Sequence, residues 1–143
     1  MQVRIKKLSD FASMPKKAHE SDAGFDLVAT TKTFDENGNV VYGTGLAFEI
    51  PEGYVGLLFP RSSNAKKDLL LSNSVGVIDS GYRGEVLFKF KTTQLQGKVY
   101  KTYEIGERIG QLIILPYPNI EFVKVKELSD TERGCGGYGS SGV

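Results

Sequence analysis

Glu85-Val86-Leu87-Phe88-Lys89-Phe90-Lys91 decides the fold class. Val86, Phe88 and Phe90 alternate with Glu85, Lys89 and Lys91. A strand buried on one face needs this period of two, because successive side chains point to opposite faces. Val3 and Ile5 repeat the pattern against Gln2, Arg4 and Lys6. Further strands are predicted at residues 40–42, 46–50, 54–59, 99–103, 109–115 and 120–125. Turn signals separate them: Glu36-Asn37-Gly38-Asn39, Pro51-Glu52-Gly53, Gln96-Gly97-Lys98 and Pro116-Tyr117-Pro118-Asn119. Asn and Gly tolerate positive φ, so the first is a hairpin signal. Only residues 63–71 read as a short helix. Many short strands with turns every ~8–12 residues predict an all-β sandwich, jelly roll or barrel.

The chain has 143 residues, which predicts one domain spanning 1–143. Its 18 basic and 17 acidic side chains nearly cancel. Duplex nucleic acid calls for a basic excess, so no nucleic-acid partner is expected. A small anion held by a few placed cations remains open. The single cysteine, Cys135, excludes an intramolecular disulfide scaffold. The Met1-Gln2-Val3-Arg4 start carries no apolar signal segment. No run approaches the ~18–20 apolar residues of a membrane span. The expectation is an intracellular, cytoplasmic protein with no membrane partner.

Four internal segments carry candidate chemistry. Ser21-Asp22-Ala23-Gly24-Phe25-Asp26-Leu27 puts two carboxylates around a turn, which is equally an ordinary turn. Pro60-Arg61-Ser62-Ser63-Asn64 follows an apolar strand and precedes the expected helix. Ser62 or Ser63 would cap that helix, whose free N–H groups suit an anion, and Arg61 adds a planar fork. The alternative is a plain cap beside a surface arginine. Asn73 to Gly84 reads as a buried strand through Val75, Val77 and Ile78. It runs into a turn at Asp79-Ser80-Gly81, where Asp79 either orients a water or closes an Asx-turn. Gly106-Glu107-Arg108-Ile109-Gly110-Gln111 opens an apolar strand with polar residues, and Arg108 has Glu107 or another acid as an alternative partner.

The chain ends on Arg133-Gly134-Cys135-Gly136-Gly137-Tyr138-Gly139-Ser140-Ser141-Gly142-Val143. Glycine loses most entropy on ordering, so a tail over 132–143 should be mobile alone. Arg, Tyr and paired Ser are nevertheless the groups that grip a phosphorylated aromatic ligand.

In chain order, SDAGFDL, PRSSNA, NSVGVIDSGYRGEV, GERIGQ and RGCGGYGSSG resemble the five motifs of the trimeric all-β dUTPases (deoxyuridine 5'-triphosphate nucleotidohydrolases). Each alone is weak; five in order are specific, and they cover residues ~18 to 143. The resemblance implies a distorted jelly roll and a homotrimer with shared active sites. The reaction implied is Mg2+-dependent hydrolysis of dUTP to dUMP and pyrophosphate, by water attack on the α-phosphate. That activity sanitises the nucleotide pool and supplies dUMP for thymidylate synthesis. Motifs one, two and four are expected from one subunit, motif three from a second, and the tail from the third, closing over the site.

The roles the resemblance implies fall on named residues. Asp26 would place the magnesium ion through its water shell. Arg61, Ser62 and Ser63 would hold the phosphates. Asn73 and the backbone of Gly76, Val77 and Ile78, within the hairpin that ends at Tyr82, would read the uracil edge. Asp79 would orient and deprotonate the attacking water. Tyr82 would pack under the deoxyribose and leave no room for a 2′-hydroxyl. Gln111 would bond an α-phosphate oxygen or a metal-bound water. Arg133, Gly139, Ser140 and Ser141 belong to the lid over the γ-phosphate, and Tyr138 would stack on the uracil.

Some positions depart from the commonest family pattern. Gly often stands where this chain has Ser63, Leu where it has Asn64, and an acid where it has Gly81. Phe is commoner at the position of Tyr138 and Thr at that of Ser141. His19, Cys135 and the Lys66-Lys67 pair read as surface residues. Two rivals share the architecture: a dCTP deaminase, and a nucleotide-sensing regulator that binds another protein. The intact third and fifth motifs count against the first. The short hairpin at residues 34–42 offers no inserted partner surface for the second.

Overall fold

The computed structural model describes residues 1–93 and 101–137. Among these residues ten strands carry the fold: β1 (Arg4–Lys7), β2 (Phe25–Val28), β3 (Thr31–Phe34), β4 (Val40–Gly43), β5 (Leu46–Glu49), β6 (Tyr54–Phe59), β7 (Leu69–Leu71), β8 (Gly76–Ile78), β9 (Leu87–Thr92) and β10 (Arg108–Pro116). All pair antiparallel, in sheets ordered β1-β5, β2-β10-β6-β8 and β3-β4-β9-β7. The two four-stranded sheets pack as an all-β jelly roll. Among the described residues no helix is long and apolar enough to cross a membrane.

The alternation read in β9 holds: Phe88 and Phe90 are buried, while Leu87 and Lys89 are exposed. The two rings stack on each other, and Phe90 meets Tyr42 edge-on and Tyr103 at a tilt, in a core that also takes Leu27, Leu46, Ile50, Leu58, Ile109 and Leu112. The sheets meet closely at Gly110 of β10. A Cβ there would lie 2.1 Å from the Phe88 ring and 2.9 Å from the Phe59 carbonyl oxygen. The β3–β4 hairpin turns at Gly38, φ 75°, with the Asp35 carboxylate accepting the amides of Asn37 and Asn39. These bonds, first the Asn39 side-chain amide, hold the Asp35 carboxyl down at about 2.

Three expectations are corrected. Residues 63–71 form no α-helix: one 3₁₀ turn, Ser62–Lys66, ends at Lys67 and the chain enters β7. Pairing of Leu69, Leu70 and Leu71 with β9 overrides their helix propensity. Residues 120–125 form no strand; they run irregular and exposed, Phe122 at 94 %. Their apolar pattern pairs with no strand among the described residues. Residues 101–103 are irregular as well, and the rest of the expected 99–103 strand and the 96–98 turn lie outside the described residues.

Candidate active site

Strand register brings three candidate segments together. Central β10 places Gln111 opposite Asp26 of β2 on one side and opposite Phe59 of β6 on the other. Phe59 leads directly through Pro60 into Arg61. Asp26, Gln111 and Arg61 therefore line one cavity of about 310 Å³ with Asp22, Ala23, Gly24 and Ser62. This is where the first, second and fourth segments meet.

Polar contacts fix the cradle. Arg61 donates through Nε to Asp26 Oδ1 at 2.9 Å and through a terminal nitrogen to Ser63 Oγ at 3.1 Å. Arg108 donates to the other Asp26 oxygen at 2.9 Å. The open alternative for Arg108 is thus settled in favour of Asp26, and Glu107 pairs with Lys67 instead. Gln111 donates through Nε2 to the Pro60 carbonyl at 3.2 Å, so its amide oxygen points over Gly24. A Cβ on Gly24 would sit 2.2 Å from that oxygen, so the close approach requires glycine.

The expected serine cap is absent. Arg61 occupies the N-cap position and no side chain caps the turn. Five residues of 3₁₀ geometry make no anion-binding helix end, so the anion site expected at a helix start is not formed. Ser62 is exposed and Ser63 partly buried beside Arg61.

The third segment makes a separate site. Gly76–Ile78 pairs with Leu58 to Gly56, and the chain turns where the Tyr82 amide donates to the Asp79 carbonyl. Val77, Ile78, Asp79, Tyr82, Glu85 and Leu87 line a second cavity of about 240 Å³. The expected burial of Val77 is corrected, since it is 59 % exposed. The Asp79 side chain is exposed and has no partner among the described residues, which excludes the Asx-turn. Tyr82 folds back over Gly84 to donate to the Glu85 carbonyl. Asn73 is exposed beside this hairpin and does not line its cavity.

The two sites lie at opposite ends of β6. Asp79 follows Ile78, which is level with Gly56, whereas Gln111 is level with Phe59. Four residues along a strand and two strand spacings across put Asp79 ~16 Å from Gln111.

Arg133 is exposed and donates to the Gly136 carbonyl at 3.0 Å; it lines none of the cavities described. Tyr138, Gly139, Ser140 and Ser141 lie outside the described residues. Among the described residues no three His, Cys, Asp or Glu side chains form a metal centre. His19 and Cys135 stay exposed at the surface. A further cavity of about 680 Å³ lies between Arg4, Glu49 and Arg83 and is also lined by Ser80 and Gly81 of the Asp79 turn.

Sequence reading missed a polar network behind the cradle. Lys67, expected on a solvated face, donates to the Thr102 carbonyl at 2.8 Å and sits 4.6 Å above the Tyr103 ring. The Tyr103 hydroxyl donates to Asn64 Oδ1, and burial pushes it above its usual range while the Ser63 hydroxyl and Arg61 charge pull it down. The Glu104 backbone amide, then Lys67, hold the Glu107 carboxyl below its usual range. No local signal marks these partners, because they are 35 to 40 residues apart.

A family model described as dUTPase matches residues 10–142. The deoxyuridine 5'-triphosphate nucleotidohydrolase of Corynebacterium diphtheriae is 41% identical over 143 residues, covering 99% of this chain and 93% of that protein. That of Nautilia profundicola is 42% identical over 146 residues, covering 99% of each. A mutant of the Staphylococcus bacteriophage 80alpha dUTPase, solved with dUpNHpp, superposes with a TM-score of 0.87 at 34% identity and 99% coverage of both chains. A mutant dUTPase from phage phi11 of S. aureus, in which a structural Mg(II) ion is coordinated, gives a TM-score of 0.76 at 28% identity, covering 89% of this chain and 98% of that one.

Proposed function

The chain belongs to the dUTPase family and is a dUTP diphosphatase, and from that premise we propose that it cleaves dUTP to dUMP and pyrophosphate through water attack on the α-phosphorus, as a single domain in a homotrimer with shared active sites. The observation that carries this reading is the cradle in which register alone assembles Asp26, Gln111 and Arg61. Arg61 and the hydroxyls of Ser62 and Ser63 take the triphosphate, where a planar fork matches phosphate oxygens. Asp79 accepts the proton of the attacking water. The backbone of Gly76, Val77 and Ile78, with Asn73, reads the uracil edge, and Tyr82 lies under the deoxyribose. Arg133, Tyr138, Gly139, Ser140 and Ser141 close over the nucleotide from the tail.

The cradle fits a water-sheathed magnesium ion. Magnesium keeps several waters and takes few protein ligands. Each Asp26 oxygen makes one guanidinium bond, and a carboxylate offers about four acceptor sites, so two remain. The Gln111 amide oxygen adds a further acceptor above Gly24. When bound, Mg2+ neutralises charge on the triphosphate and the leaving pyrophosphate.

The separation of the two sites supports an assembly with shared sites. At ~16 Å from Gln111, Asp79 of the same chain is too far to activate a water beside a phosphate held in the cradle. A second subunit must supply the Asp79 hairpin, and the tail comes from the third. The exposed Tyr117, Ile120, Phe122, Val123 and Leu128 provide apolar surface for such an assembly. Because its nucleotide substrate is made inside cells, we place the enzyme in the cytoplasm (that of the host if the source is viral), guarding the nucleotide pool and supplying dUMP for thymidylate synthesis.

The test incubates the protein with dUTP, dCTP, dTTP and UTP, with Mg2+ and with a chelator, and quantifies pyrophosphate. Release from dUTP alone, lost with the chelator, is expected. Asp79→Asn should cost roughly 10²–10⁴-fold in kcat. Asp79 is exposed, so its Tm should stay unchanged. Wild-type rates from Asp79→Asn, or a sedimentation mass of one chain in the active protein, would overturn the reading.

A further inference from the structure

The 3₁₀ turn that carries Ser62 and Ser63 is short and lies at the surface. Its two ends are closed by Asn64 N–H to the Arg61 carbonyl and Lys67 N–H to the Asn64 carbonyl, both 2.9 Å. None of its residues is buried. Such short turns have poor hydrogen-bond geometry. Side-chain contacts anchor it further, to β7 and to the segment 101–107. The Asn64 amide works at both ends: Nδ2 donates to the Leu69 carbonyl at 2.8 Å, and Oδ1 accepts the Tyr103 hydroxyl at 3.2 Å. Tyr103 is itself pinned to the core. Its amide donates to the Tyr42 hydroxyl at 3.0 Å, and that hydroxyl donates to its carbonyl at 2.9 Å. Tyr103 and Tyr42 are both essentially buried.

Segment 101–107 then runs into β10, which carries Gln111. One strap thus joins the core, the serine turn and the start of the strand bearing the cradle amide.

We propose that Asn64 and Tyr103 are positioning residues that set the serine turn for the triphosphate, acting through Ser62, Ser63 and Arg61 rather than by touching substrate. This deepens the dUTP reading and rests on it for the identity of the ligand. The strap lies behind the phosphate cradle, and neither residue lines the Asp79 cavity. Its loss must therefore weaken phosphates and spare the nucleoside.

Tyr103→Phe, Asn64→Leu and the double variant test this, alongside the intact protein. Tyr103→Phe removes one oxygen and keeps the ring in the core; Asn64→Ser is the substitute if Asn64→Leu folds poorly. KM for dUTP and inhibition constants for deoxyuridine and dUDP are measured. Loss of one hydrogen bond is expected to raise the dUTP and dUDP constants about fivefold to tenfold, with deoxyuridine unchanged within about twofold. The double variant should be no more than about twofold worse than Asn64→Leu, because both remove the same contact. Equal weakening across the series, or unchanged dUTP and dUDP constants in folded variants, would overturn the proposal. Calorimetry with inorganic tripolyphosphate separates the two readings. If the intact protein releases no pyrophosphate from dUTP, the dUTP reading fails, yet tripolyphosphate affinity must still fall about fivefold in Tyr103→Phe. Equal affinity in both proteins, or none in either, defeats the strap.

Discussion

Gly24→Ala should separate activity from stability. The added Cβ would lie 2.2 Å from Gln111 Oε1, 3.1 Å from its Cδ and 3.3 Å from its Cβ. Ordinary contact begins near 3.4 Å, so the amide must swing by roughly 1 Å. The atom in the way is the far end of a flexible side chain, so the backbone need not move. The swing breaks the 3.2 Å bond to the Pro60 carbonyl. One neutral hydrogen bond and a strained rotamer together cost about 1–2 kcal/mol. For a domain of this size that lowers Tm by only ~2–8 °C. The catalytic cost is larger, because a ~1 Å misplacement of a positioning group can cost ~100-fold. We expect kcat/KM for dUTP, read as pyrophosphate release, to fall about 30–100-fold. Gln111→Ala should fall about as far, and the double variant no more than about twofold further, since both disable one amide. If Gly24→Ala retains activity within about threefold, or if the two losses multiply, Gln111 is not the group that the glycine accommodates.

Gly110→Ala should act in the opposite sense, on stability. Its Cβ meets the buried Phe88 ring and the Phe59 carbonyl, neither of which can yield, so we expect a loss of about 3 kcal/mol in urea unfolding at matched chain concentration. Arg61→Lys keeps the charge and loses the fork; kcat/KM should drop about 10–100-fold, the worth of one charge-assisted hydrogen bond, and a drop under threefold would remove Arg61 from the phosphate grip. Asp35 predicts an acid-side dependence. Its folded pKa is depressed to about 2, below the unfolded ~3.9. Its stabilising contribution is therefore complete above pH ~4 and is lost as pH falls through about 2. The stability gap between wild type and Asp35→Asn should be constant from pH 7 to ~4 and narrow below that; a constant gap down to pH 2.5 would contradict the assigned bonds.

Much of the fold was legible because its strands announce themselves locally. The Phe88 and Phe90 alternation, the Asn37-Gly38 turn and the Gly53 turn need only neighbouring residues to be read. Expectations failed where distant partners decide. Leu69–Leu71 looked helical until β9 supplied hydrogen bonds. Residues 120–125 looked like a strand, but the described residues provide it no partner. The site divides likewise. Asp26, Arg61 and Gln111 carried a recognisable pattern, but the Arg108–Asp26 pair and the Asn64–Tyr103 strap join residues 82 and 39 positions apart. No periodicity marks such contacts, and the Lys67 side chain that looked solvated is bound to that strap region.

The opposed placement of Asp79 and Arg61 along β6 has a consequence for dose. If neither end works without another chain, specific activity per chain should depend on concentration and collapse on dilution below the dissociation point of the assembly. Two dead variants, Asp79→Asn and Arg61→Ala, should then rescue each other when dissociated and reassembled together, since a mixed assembly can join an intact hairpin to an intact cradle. A damaged copy would in turn spoil sites on its healthy neighbours. Harm from one altered allele would spread through the assembly, while a cell short of chains would lose activity faster than it loses protein.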